Sequence, residues 1–337
     1  MAFPNQVTQQ AQVDALLAKY EPIIRDAFLA AIRQAGNSID RRALISALNA
    51  GDIEAAVALF RIDQGVMYPL QEAVRSAYIA GGQSLALAMP KSVLGQFGFN
   101  GAHLRAEAYL SRFGADMVTN VSEDAMSAAR ETILESLSEN VTTRTTALRL
   151  TGRAGPDGVR QGGVIGLTRP QEQSIVRGMS ELSSGNAKSM SAYLDRKERD
   201  LRFDPMIKRA IADGRILTPE ELARIEQGHR SKSLKLRGQR VARNETFTAQ
   251  AAGRHEGWLQ ILERPDIDGV TVRWQHNLSQ KPRKDHVAMD GTIIQIGEYF
   301  IMGDGTAMAY PHDPRGGATH SVGCRCIAIY RPVLPKR

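Results

Sequence analysis

His286, His312, His320, Cys324 and Cys326 fall within 41 residues near the C-terminus, with His276 a short distance upstream. Imidazoles and thiols are the side chains that bind soft metal ions. If Cys324 and Cys326 lie in a strand they point to the same face, because side chains there alternate with a period of two. Two thiolates on one face, joined by imidazoles from loops, can hold a tetrahedral zinc, with His286, His320, Cys324 and Cys326 as the ligand set. Cys-x-Cys is tighter than the two to four intervening residues usual in structural zinc sites. The competing reading makes both cysteines small buried apolar side chains, and on that reading no cofactor is required. The same residues also contain a nucleophile and a base. Cys324 beside His286 or His320, with Asp285 or Asp290 orienting the ring, has the composition of a covalent catalyst. A metal-dependent nuclease built on His276, His286, Asp290 and His320 is the concrete enzymatic form. No Gly-x-Ser-x-Gly or His-Glu-x-x-His pattern accompanies them.

Just ahead of this cluster the charge is concentrated. Residues 196–243 hold 14 Lys/Arg against 7 Asp/Glu, an excess equal to the net +7 of the whole chain. The last part, Gly228–Arg243, has six basic residues and no acid. Arg230, Lys232, Lys235, Arg237, Arg240 and Arg243 are spaced so that most share a helix face, which can neutralise phosphates and bind double-stranded DNA without sequence preference. No aromatic residues interleave them to stack on unpaired bases. A solvated face, or one meeting an acidic partner, fits the same spacing.

The elements that position these residues follow from periodicity. Val13, Leu16, Leu17, Tyr20, Ile23, Ile24, Ala27 and Phe28 recur at three and four, as on an amphipathic helix. Asp40 and Asp52 each open a further helical run as N-caps, and a longer run spans about 64–87. Residues 90–101 read as a loop. About 103–150 reads as one helix with a thin apolar stripe, suited to docking on another chain. Gly152–Gly163, with five glycines and a proline, reads as a flexible hinge; as a phosphate-binding loop it lacks the Gly-Lys-Ser/Thr ending. Thr168 and Thr218, followed three residues later by Gln171 and Glu221, mark two helix starts, the second with Pro219 in the first turn. Val270–His276, Gly291–Ile296 and Cys324–Tyr330 alternate as strands do.

The expected fold class is therefore α+β. It divides into a helical docking region (1–150), a hinge (151–166), a basic helical segment (167–250) and a small α+β module (251–337). At 337 residues and 42% hydrophobic the chain buries substantial cores, which excludes global disorder. Two cysteines cannot staple a secreted scaffold. The opening residues do not read as a secretory leader and no apolar stretch reaches membrane length, so a soluble protein of a reducing cytoplasm is expected.

The order Arg243-Asn-Glu245, Trp274, Arg283-x-x-His286-x-x-x-x-Gly291, Tyr310-Pro311 and Cys324-Arg-Cys326 resembles the phage head morphogenesis domain, that of the Mu F-like and SPP1 gp7-like minor head proteins of tailed bacteriophages. The resemblance covers roughly residues 160–330. Gly323 stands where such proteins usually have Asn before Cys-Arg-Cys, and Ser279-Gln-Lys-Pro replaces a common acidic residue. The resemblance implies a low-copy virion component partnered by the portal protein and other capsid proteins, acting in head assembly, DNA packaging or ejection. Its expected location is the host bacterial cytoplasm during assembly and then the capsid interior or portal vertex, with no membrane in the free state.

Overall fold

The computed structural model describes residues 6–87, 89, 98–155, 158–277 and 282–335. The chain is α+β, mainly helical, with its one three-stranded sheet among the described residues near the C-terminus. It forms two compact units, each assembled from separate stretches: residues 1–27, 70–113 and 240–337 make the first, and 28–69 and 114–239 the second. These units do not follow the expected boundaries. A 44-residue helix, Pro219–Leu262, runs unbroken through the limit expected at 250. The expected loop at 90–101 lies largely outside the described residues, as does the Ser279-Gln-Lys stretch.

The second unit contains helices α2 (Arg41–Asn49) and α3 (Ile53–Ala58), whose first turns are capped by the Asp40 and Asp52 carboxylates. The expected helix over 103–150 is two helices, Leu104–Ser138 and α6 (Thr143–Thr151). The break follows from Asn140, held at φ 53°, and from the Thr142 hydroxyl, which caps Thr145. The stretch read as a hinge is an antiparallel hairpin of β1 (Arg153–Ala154) and β2 (Arg160–Gln161) inside this unit. Its glycines serve close approach rather than flexibility: a Cβ on Gly152 would lie 2.4 Å from the Gln161 carbonyl oxygen. Helix α7 (Arg169–Ser183) opens with a full capping box between Thr168 and Gln171. Thr218 and Glu221 exchange the same pair of bonds at the start of the long helix. Met179, Leu182, Met190, Tyr193, Ile207 and Ile225 form its apolar core.

In the first unit three antiparallel strands form a sheet in the order β4 (Ile293–Gln295), β3 (Gly269–Gln275), β7 (Ile327–Val333). Val272 pairs with Tyr330 and Trp274 with Ala328. The buried Gln9 side chain completes the edge of β7. It donates to the Tyr330 carbonyl at 3.0 Å and accepts from the Tyr330 amide at 3.1 Å, as a neighbouring strand would. Val13, Leu17, Phe247, Ile327 and Ile329 form an apolar cluster of the same unit. Two helices approach so closely here that a Cβ on Gly253 would lie 1.9 Å from the Tyr78 carbonyl oxygen. A well-packed interior of this kind holds loops to fixed positions, and the chemistry-bearing residues sit on loops beside the sheet.

Candidate functional site

The site lies where three segments of the first unit meet. A short helix, Lys284–Ala288, carries His286. The guanidinium of Arg283, immediately before that helix, donates to the Val322 carbonyl at 2.6 Å and so ties it to the Cys-Arg-Cys loop. Gly291, at φ 82°, closes the segment by donating to the Trp274 carbonyl on β3. This fixes the role of each residue in Arg-x-x-His-x-x-x-x-Gly: a clamp, a ligand-type side chain and a left-handed turn.

Cys324 and Cys326 precede β7 rather than lie in it, so strand alternation is not what aligns them. A tight turn does so: the Cys326 amide donates to Cys324 Sγ at 3.3 Å. Gly323, at φ 70°, enters that turn in the left-handed region. Asn is among the few other residues that tolerate this region, which accounts for the exchange of Asn for Gly noted above. Both sulfurs face the same ring nitrogen, His286 Nδ1, at 3.4 Å from Cys324 and 3.6 Å from Cys326. All three side chains are buried.

From His286 a polar chain leads outward. His286 Nε2 lies 3.2 Å from His320 Nδ1, and His320 Nε2 lies 3.0 Å from an Asp304 carboxylate oxygen. Asp285 comes within 3.4 Å of His320 Nδ1. The Thr306 amide, and after it His320, hold the Asp304 carboxyl down at about 2. A proton ordering in which His286 Nε2–H donates to His320 and His320 Nε2–H donates to Asp304 satisfies the chain from His286 to Asp304, leaving Asp285 beside the accepting His320 Nδ1. His286 Nδ1 then faces the sulfurs with its lone pair. The two thiols behave as one unit. A hydrogen bond from Cys326 holds Cys324 below the usual thiol range against the opposing effect of burial. Cys326 is pushed up by the bond it gives Cys324, by burial and by the Cys324 charge.

The sequence-derived sets sort as follows. Of the metal set, His286, Cys324 and Cys326 come together, while His320 stands behind His286. Of the nuclease set, His286 and His320 are adjacent, but the Asp290 carboxylate accepts the His276 backbone amide at 2.9 Å. Asp304, the outer member of the polar chain, was legible only as part of a turn. His312 is a further feature of the site. It is 1% exposed, held at φ 70°, stacked on Phe247 at 4.7 Å, and neither ring nitrogen has a hydrogen-bond partner. Trp274 and Pro311, from the motif, are buried around the cluster.

The basic set requires correction at two positions. Arg230 is 2% exposed and bound to Glu172 and Glu226, and Arg237 is buried against Asp124 and the Gly166 carbonyl. Their guanidiniums do not reach solvent, and so cannot contact DNA phosphates. Sequence spacing put most of the six cations on one face, but two of the six point into the protein, where carboxylates compensate them. Lys232, Lys235 and Arg240 are exposed, and Arg243 is half-buried over the Phe247 ring. A separate cavity of about 460 Å³ lies in the second unit, lined by Arg149, Glu226, Arg230 and others, away from every other predicted site residue.

Residues 203–329 match the family model of the phage Mu protein F like proteins, which supports a phage head morphogenesis domain over that stretch. The uncharacterised protein YqbB of Bacillus subtilis (strain 168) is 31% identical over 94 residues, which cover 27% of this chain and 29% of that relative. The chain thus spans less than a third of the length of the curated relative it matches. No solved structure matches it. Among the described residues, no helix is long and apolar enough to cross a membrane.

Proposed function

We propose that the chain is a low-copy minor head protein of a tailed bacteriophage or prophage. It assembles with the portal and other capsid proteins in the host cytoplasm and remains in the virion, in the capsid interior or at the portal vertex. There it acts in head assembly, DNA packaging or ejection. The observation that carries this reading is the match of residues 203–329 to the phage Mu protein F like proteins. The exposed Lys232, Lys235 and Arg240 support a non-specific contact with packaged double-stranded DNA.

The test is compositional. Heads purified from a phage or induced prophage carrying this gene are to be analysed by quantitative mass spectrometry against the portal and major capsid proteins. The expected result is this chain in every DNA-filled head at a few copies per portal ring. Its absence from purified heads, while it is abundant in the same lysate, would refute the assignment.

A further inference from the structure

We propose that His286 Nδ1, Cys324 Sγ and Cys326 Sγ form three corners of a tetrahedral zinc site, and that His312 supplies the fourth. The sequence alone had placed His320 in that position; the geometry moves His320 behind the ligands. The atoms that already converge are those of His286, Cys324 and Cys326, and His312 would join them by a shift of its ring.

Distance comes first. Bonds of about 2.3 Å to sulfur and 2.0–2.1 Å to nitrogen, at tetrahedral angles, put a bound sulfur and a bound nitrogen about 3.5 Å apart. The two sulfur–nitrogen separations here are 3.4 and 3.6 Å. Those separations also suit thiol–imidazole hydrogen bonds, but one ring nitrogen has a single proton or lone pair to offer and cannot bond both sulfurs fully, whereas a metal at the common point serves all three atoms.

The surroundings of the sulfurs point the same way. Thiolates bound to zinc keep residual negative charge and collect N–H donors. Cys324 Sγ accepts the Cys326 amide at 3.3 Å. The Trp274 N–H, on a ring edge-on to His286, is buried with no hydrogen-bond partner. Donors directed at sulfur are wasted on a neutral thiol and useful to a metal thiolate.

His286 is oriented as metal-binding histidines are. The ring nitrogen away from the ligand position is bonded to His320, and His320 to the Asp304 carboxylate, with Asp285 beside it. Such a chain fixes the tautomer that leaves Nδ1 free to coordinate and raises its basicity.

His312 is the independent observation. A fully buried imidazole with both nitrogens unpartnered costs folding free energy, and its left-handed backbone costs more. A metal bond would give one of these nitrogens its partner, and stacking on Phe247 would hold the ring for it. The donor set of two thiolates and two imidazoles selects zinc over the harder divalent ions. The ion would tie the helix at 284–288, the loop at 312 and the approach to β7 into one unit, so its role is structural.

The test uses the full chain, purified without a metal-binding tag or added metal. Elemental analysis should find about one equivalent of zinc per chain, released when the thiols are alkylated. Cobalt titration of the zinc-depleted protein should give the visible bands of a tetrahedral ion and a sulfur-to-metal charge-transfer band of two-thiolate intensity. His312→Ala should alter the visible bands; His320→Ala should leave their shape unchanged while weakening cobalt affinity about 10- to 100-fold. Wild-type protein with no zinc and no cobalt bands would overturn the site, as would a Cys324–Cys326 disulfide in freshly isolated chain. Unchanged bands in a folded His312→Ala protein would overturn the fourth ligand. The wild-type measurements stand whether or not a variant folds.

Discussion

Replacing Arg230 with Met separates a surface role from an interior one. Arg230 lies on the long helix among residues whose spacing suggests a phosphate-binding face, but its guanidinium is enclosed. It bonds both oxygens of Glu172, reaches Glu226 at 3.0 Å and donates to the Arg149 carbonyl at 3.3 Å. Met keeps most of the aliphatic stem and removes the charge. Glu172, 0% exposed, is then left with the Thr132 hydroxyl at 2.8 Å as its remaining described partner. Breaking one side of a buried pair costs about 3–5 kcal/mol, because the surviving charge is neither solvated nor compensated. Urea unfolding followed by far-ultraviolet circular dichroism should show a midpoint lowered by roughly 1–2 M, given a slope of about 3 kcal/mol per molar for a chain of this size. The double variant Glu172→Leu/Arg230→Met removes both charges and should recover most of the loss, since apolar replacement of a whole buried pair is often neutral or stabilising. DNA retention measured on the folded single variant should match wild type. An unchanged unfolding curve together with weakened DNA binding would refute the burial argument and restore Arg230 to the surface set.

Exchanging Lys232 and Lys235 for Gln should weaken retention of double-stranded DNA and reduce the log–log salt slope by up to about 2, with unfolding unchanged; an unaltered slope would remove the helix from any DNA surface. Desolvation pushes the Glu245 carboxyl up to about 7, with Asn244 donating to it in partial compensation. Its folded value exceeds its unfolded one, so its contribution is full below about pH 4.5 and lost as pH rises through 7. Glu245→Gln should accordingly gain about 2 kcal/mol on wild type between pH 5 and 8, after allowance for the partial accessibility of the residue; parallel stability–pH curves would contradict this. Gly253→Ala drives a methyl into the Tyr78 carbonyl and should destabilise by about 1–3 kcal/mol or more, visible as a lowered thermal midpoint, whereas a neutral result would mean the helices can separate without cost. At Gly323, Asn should be tolerated and Val should cost about 1–2 kcal/mol, because a β-branched residue resists φ 70°.

The parts of the fold that could be read from sequence are those governed by local rules. The Asp40, Asp52, Thr168 and Thr218 caps act within three residues of themselves, and each makes the expected bond. The three strands follow from alternation near Val270, Ile293 and Ile327. What was not legible depended on partners far along the chain. Arg230 is matched by Glu172 and Arg237 by Asp124, 58 and 113 residues away, and no helical wheel contains either carboxylate. The glycines of 152–163 illustrate the same limit, since flexibility and close packing call for the same residue. Only Gln161 opposite Gly152 decides between them.

The cysteine-histidine cluster lies between these extremes, and its spacing now has a physical reading. One residue between the thiols is too few for the usual zinc knuckle but enough for a turn in which the second amide donates to the first sulfur. That turn needs a left-handed entry, which Gly323 supplies, and an anchor, which the Arg283 bond to Val322 supplies. His286, three residues after Arg283, is thereby carried to both sulfurs at once. Residue type alone could not choose between His312 and His320, which are equally plausible ligands in a list. The structure distinguishes them by satisfaction: both His320 nitrogens are hydrogen-bonded, and both His312 nitrogens are not. A buried imidazole with no partner has more to gain from a metal bond than one already fully bonded, and that difference favours His312 as the fourth ligand.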